Sequence, residues 1–190
     1  PERVAEIVTA MRAAVDVPVT VKHRIGVDEI DRYEDMANFV SVVEPSGADR
    51  FTVHARKAWL NGLSPKDNRT IPPLRYEDIY RLKRDFPHLD VEINGGIVTL
   101  DQVEAQLEHV DAVMVGRAAY EDPMQFVNVD RRLFGDTSPR PSRIELVESM
   151  LPYIEQAMAK GARLNAISRH LLNIFKGCRG GKIWRRHISE

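Results

Sequence analysis

The sequence predicts an α/β chain whose parallel strands belong to a (β/α) barrel, followed by a small all-helical domain. Three observations predict it. Four short apolar strands alternate with helices, every strand ends in a polar or glycine group, and the alternation stops at Ala118, ahead of a proline-rich break. Parallel strands joined by right-handed crossovers gather the groups at their carboxyl ends on one rim, where such proteins place their chemistry.

The elements follow in order. Val4, Ile7, Val8, Met11 and Val15 recur at helical spacing, with no methionine ahead of Pro1, so the chain reads as a piece of a longer protein. Asp16-Val17-Pro18 breaks that helix, because the residue before a proline is pushed toward extended backbone. Val17, Val19 and Val21 then alternate as a strand ending in Lys22-His23-Arg24. A helix from about Arg32 places Met36, Phe39, Val40 and Val43 on one side, and the strand 50–53 ends in His54-Ala55-Arg56. Lys57 to Leu74 is a long loop, rich in Pro, Gly, Asn and charge, and loops of that length are functional or disordered. The pattern resumes with a helix over 75–86, a strand 91–93 ending in Asn94-Gly95-Gly96, a helix over 99–109 with a Thr99-x-x-Gln102 capping box, and a strand 112–115 ending in Gly116-Arg117. Thr137-Ser138-Pro139-Arg140-Pro141 marks a boundary, giving domains 1–136 and 137–190. In the second, Leu164, Ile167, Leu171, Ile174 and Phe175 form one apolar helical stripe that ends at Gly177.

Composition narrows the function classes. With 43% hydrophobic and 29% charged residues, the chain suits a folded globular protein and not a disordered one. No apolar run approaches the roughly 20 residues that cross a bilayer, and residues 1–11 lack the pattern of a signal peptide, so a cytoplasmic protein without membrane contact is expected. The single cysteine, Cys178, leaves no internal disulfide and no metal framework, and metal is not expected. Net charge of −1 hides an asymmetry. Residues 1–159 carry 19 Lys/Arg against 27 Asp/Glu, whereas residues 160–190 carry 8 Lys/Arg against Glu190 alone. Such an acid-free basic stretch suits a polyanion, and equally a solvated tail.

Two strand ends suit a phosphate. Glycine in Asn94-Gly95-Gly96 and Gly116-Arg117 lets backbone approach an oxyanion, and Arg117 can pair with it as a fork; read singly, the glycines also satisfy tight turns. Lys22 at its strand end suits the negative charge of a reduced flavin, or simple solvation. His54 suits a hydrogen bond to a cofactor or substrate oxygen, or a structural one. Their order on four consecutive strand ends is the more specific signal.

At these residues the chain resembles the tRNA-dihydrouridine synthases, most closely the bacterial A-type. The resemblance runs over nearly the whole chain. It is carried by the runs Val19 to Gly26, His54 to Lys66 with Asn68-Arg69 and Ile71-Pro72-Pro73-Leu74, Arg84 to Leu89, Ile93 to Ile97, Val113 to Arg117 and Trp184-Arg185-Arg186. It implies an FMN enzyme that reduces uridine to dihydrouridine in the tRNA D-arm, with NADPH reducing the flavin, and a monomeric full-length protein. By matching motif it implies FMN binding by Lys22, His54, Asn94, Gly95, Gly96, Gly116 and Arg117, and tRNA contact by Lys66, Arg69, Lys182 and Arg185. It further implies that the chain holds the fifth to eighth strands of a (β/α)8 TIM barrel, the back half, and lacks the proton-donating cysteine; Cys178 is not its counterpart. Two other readings compete: an FMN barrel acting on a small molecule, like a dihydroorotate dehydrogenase, and a non-catalytic RNA-binding module.

Overall fold

The computed structural model describes residues 1–190. The chain divides into two compact units, Pro1–Ile97 with Asp101–Val115, and Val98–Leu100 with Gly116–Glu190.

In the first unit the strands are β1 (Thr20–Arg24), β2 (Arg50–His54), β3 (Val91–Asn94) and β4 (Ala112–Met114), all parallel and hydrogen-bonded in that order. They alternate with α1 (Glu2–Ala14), α2 (Tyr33–Val43), α3 (Tyr76–Asp85) and α4 (Leu100–Leu107). Registered neighbours share a face of a sheet and successive residues alternate between faces. Val21, Phe51, Val53, Val91 and Ile93 therefore stand on one face, and all are buried, together with Val40 and Val43 of α2 and Ile79 and Leu82 of α3. The opposite face carries Lys22, Arg24, Thr52, His54, Glu92 and Asn94. Burial of the apolar face explains the alternating sequence of the strands, and the polar face is what that alternation leaves over.

The expected back half of an eight-stranded barrel is corrected here. The sheet has four strands in sequential order, and the outer edges of β1 and β4 pair with no further strand. Closure depends on strand number, tilt and stagger, and none of these is encoded in an alternation of strands with helices. That alternation specifies a parallel α/β sheet, and this is what the chain forms.

The second unit is helical: α5 (Arg117–Glu121), α6 (Val129–Phe134), α7 (Arg143–Ala159), α8 (Leu164–Ser168) and α9 (Gly181–Ser189). Ser142 caps α7 by accepting from the Glu145 amide at 3.2 Å, while Glu145 accepts from the Ser142 amide at 2.7 Å. Those bonds hold the Glu145 carboxyl below its usual range. The apolar stripe from Leu164 to Phe175 is not one helix. After α8 the chain makes a single 3-10 turn, Arg169–Leu171, and then irregular turns. Side chains also bond carbonyls of this segment: Trp184 Nε1 donates to Leu171 O at 3.0 Å, and Arg143 donates to Ile174 O. No helix in the chain is long and apolar enough to cross a membrane.

Candidate functional site

The polar face of the sheet gathers three of the sequence-predicted residues. Arg24, His54 and Asn94 lie in register across β1, β2 and β3, and Lys22 stands two residues before Arg24 on the same face. Lys22 Nζ donates to Asn94 Oδ1 at 3.1 Å, and Asn94 Nδ2 donates to Met114 O at 2.8 Å, which fixes the orientation of the amide. His54 is half-buried, and its Nδ1 is buried with no hydrogen-bond partner.

Cations dominate this face. Burial first, then the charges of Arg24, Lys22 and Arg56, depress the His54 pKa to about 4, against a weaker opposing contact with the Arg56 backbone. The imidazole is therefore neutral near pH 7. Burial and the Arg24 charge lower the Lys22 pKa, while Glu92 raises it. Glu92 is itself engaged, accepting from Thr52 Oγ1 and standing 3.6 Å from Arg50. Burial followed by the charges of Arg69 and Arg56 lowers the Arg24 pKa. A surface that disfavours its own positive charges stabilises an anion placed against it.

Gly95 and Gly96 follow β3 with φ of 118° and 70°, a region that side-chain-bearing residues rarely adopt. A Cβ on Gly96 would lie 2.6 Å from Leu74 Cδ1 and 3.1 Å from Tyr76 Oη. Tyr76 Oη donates to Gly95 O at 2.6 Å. Packing of the turn thus already accounts for both glycines, whatever they hold.

The long loop after β2 is neither regular nor loose. Arg24 donates to Lys57 O at 3.0 Å and Asn68 O at 2.9 Å, tying the start and the interior of the loop to β1. Asn68 brackets Trp59 by accepting from its amide at 2.8 Å and donating to its carbonyl at 2.7 Å. Lys57 donates to Asp28 O at 3.0 Å and pairs with Asp31 at 2.8 Å, and the Leu60 amide donates to Asp28 Oδ1 at 2.9 Å. Lys66 and Arg69 are left exposed at the short 3-10 turn Asp67–Arg69. Arg24, Asn68 and Asp28 were missed as site residues from sequence. Arg24 carried one signal, its two-residue spacing from Lys22, which puts both on one strand face.

Gly116, Arg117, Lys182 and Arg185 belong to the second unit. Gly116 precedes α5, with open space where a Cβ would be, and Arg117 is its first residue. Lys182 and Arg185 are exposed on α9. Cys178 lies in the turn before α9, its amide donating to Phe175 O and its carbonyl accepting from the Gly181 amide.

Over 190 residues the chain is 60% identical to the "tRNA-dihydrouridine(20/20a) synthase" of a Synechocystis species, covering all of this chain and 57% of that protein. It is 54% identical over 191 residues to the protein of that name in Vibrio parahaemolyticus, covering 59% of it, and 53% identical over 190 residues to that of Shewanella oneidensis, covering 57%. The chain thus spans under two thirds of the length of these relatives. A family model described as "Dihydrouridine synthase (Dus)" matches residues 1–190, and the chain belongs to the dihydrouridine synthase family.

Proposed function

We propose that this chain is the cofactor- and RNA-holding part of a cytoplasmic enzyme that reduces uridine to 5,6-dihydrouridine in the D-loop of tRNA. What carries the reading is the polar sheet face, where Lys22 meets Asn94 and a neutral His54 keeps a buried nitrogen without a partner. Those donors fit FMN. An ammonium, an amide and an imidazole sit among further cations, with one carboxylate that is already engaged, and this suits an electron-rich ring and its phosphate. Lys22, His54 and Asn94 would hold it with the backbone of Gly95 and Gly96, and Gly116 and Arg117 are proposed as phosphate contacts on the resemblance of their motif.

When bound and reduced by NADPH, FMN would supply the hydride. Lys22 would stabilise negative charge on the bound cofactor, and Asn94 orients the lysine by accepting from its Nζ. His54 stays uncharged, so that it directs a hydrogen bond without adding a further cation. Lys66 and Arg69, presented by the braced loop, and Lys182 and Arg185 on α9 bind phosphates of the tRNA. Hydride addition to one carbon of uracil leaves its neighbour in need of a proton. Cys178 lies in a turn of the helical unit, and we assign the acid to residues outside these 190.

The test incubates the full-length protein with FMN, NADPH and unmodified tRNA and measures dihydrouridine by mass spectrometry, alongside the 190-residue chain. Formation by the full-length protein, abolished in Lys22→Ala, is expected. A positioned acid contributes about 10²–10⁴-fold in rate, so the short chain should fall below detection. Turnover by the short chain comparable to the whole would overturn the assignment of the acid, and flavin bound without any action on tRNA would favour a small-molecule substrate.

A further inference from the structure

We propose that the cleft between α9 and the turn at Phe175–Gly180 is a pocket for an unpaired nucleobase of an RNA strand. It measures 330 Å³ and is lined by Phe175, Arg179, Gly180, Ile183, Trp184 and His187. Its walls are aromatic and aliphatic. The rings of Phe175 and Trp184 lie 4.8 Å apart at 55°, and Ile183 leaves 67% of its surface to solvent. Arg179 and His187 border the cleft, and no carboxylate does.

The pocket is built rather than incidental. Trp184 is fixed in place, its Nε1 donating to Leu171 O at 3.0 Å. Gly180, with φ of +85°, turns the chain into α9, and a Cβ on Gly181 would fall 2.3 Å from Phe175 O. Only glycine lets the first turn of α9 come so close to the aromatic wall.

Charge selects the occupant. From Lys160 to Ser189 the chain has eight Lys and Arg and no Asp or Glu, so the partner is a polyanion. Residues on a helix advance by 100° each, so Lys182, Arg185 and Arg186 share one side of α9, and Ile183, Trp184 and His187 turn to another. A cationic side beside an aromatic-aliphatic one fits single-stranded nucleic acid, whose phosphates meet the first and whose unstacked base rests on the second. A duplex or a phosphorylated peptide would use the charge and leave the cleft empty.

This pocket rests on the reading that the chain handles tRNA, and it is testable apart from uridine reduction. The full-length protein is crosslinked to unmodified tRNA by short-wave ultraviolet light and the adducts are mapped by mass spectrometry. In parallel, tRNA affinity is measured against salt for the protein and for Ile183→Ser, a change at an exposed position. Adducts on Phe175, Trp184 or His187 are expected, with an affinity loss of about tenfold and an unaltered salt slope, because no phosphate contact is removed. Wild-type affinity in Ile183→Ser, or adducts confined to other segments, would overturn the pocket while dihydrouridine formation by the same protein kept the functional reading intact. A protein that forms dihydrouridine normally yet loses its salt slope in Ile183→Ser would make the residue part of the cationic surface and overturn the pocket as well.

Discussion

The first unit buries Val40, Val43, Phe51, Val53, Ile79, Leu82, Val91 and Ile93 with no exposed surface, whereas Ile154 and Ile174 of the second unit each retain 9% exposure. The sheet unit is organised around a dense core, and the helical unit around short helices tied together by side chain to backbone bonds such as Arg143 to Ile174 and Asn173 to Tyr120. Their charges differ in the same sense, since the acid-free segment 160–189 lies wholly in the helical unit. A rigid sheet can hold ring atoms and donors to within tenths of an ångström, which redox chemistry requires; attraction of a polyanion needs charge and area more than depth. The largest expected effect breaks this comparison directly. Phe51→Ala should cost about 3–5 kcal/mol of unfolding free energy, and Ile154→Ala, whose site is shallower and can relax, about 2 kcal/mol. Denaturant unfolding with a probe in each unit measures both, and equal losses would mean that the helical unit has a core as tight as that of the sheet.

Arg117→Ala follows in size. Removal of a charge-assisted contact to phosphate should weaken FMN binding by about 1.5–3 kcal/mol, read by flavin fluorescence titration of the full-length protein. Unchanged flavin affinity would remove Arg117 from the phosphate assignment and leave the cofactor to the sheet unit. Smaller still in free energy, Lys182→Ala and Arg185→Ala should each reduce the slope of log affinity for tRNA against log salt by about one, with flavin still bound. A slope that does not move would make α9 a solvated helix and confine RNA contact to the loop that presents Lys66 and Arg69.

Much of the sheet was legible in the sequence because its signal is local. Alternation in β1 to β3 follows from one buried face, and His54 and Asn94 are the last residues of their strands as expected, whereas Lys22 lies two residues inside the end of β1. Closure was not legible, because strand count and stagger belong to the whole sheet, and four strands in sequential order fold as an open one. The break of the Leu164–Phe175 stripe was hidden for a related reason. It is accompanied by contacts from Arg143 and Trp184, residues distant in sequence that donate to the Ile174 and Leu171 carbonyls. Loop composition identified Lys57 to Leu74 as irregular, but its contacts to Arg24, Asp28 and Asp31 come from residues that precede β2 and carry no mark of their partnership until the chain is folded. The helical period of α1 was likewise legible, and of its apolar residues Val8 is buried while Ile7 and Met11 are half exposed.

The smallest effect concerns the neutral imidazole. His54 has its pKa depressed from the usual 6.5 to about 4, first by burial and then by Arg24, Lys22 and Arg56. In the unfolded chain the same histidine titrates near 6.5. Between these values the unfolded state binds the proton and the folded state does not, so each step down in pH favours unfolding, until the folded imidazole also protonates near pH 4. Stability from this group is therefore complete above about pH 6.5 and declines through the window toward pH 4. His23, also depressed chiefly by burial, acts in the same direction from the apolar face of the sheet. His54→Gln removes one titrating group without adding charge, so the difference in melting temperature between parent and variant isolates His54 from His23 and from the carboxylates that titrate in the same range. That difference should change steadily as pH falls from 6.5 to 4, the parent losing more than the variant, and flatten above pH 7. A difference independent of pH would mean that His54 titrates normally and that the cations around it are better screened than their arrangement implies, which would also remove the reason to treat His54 as an uncharged donor.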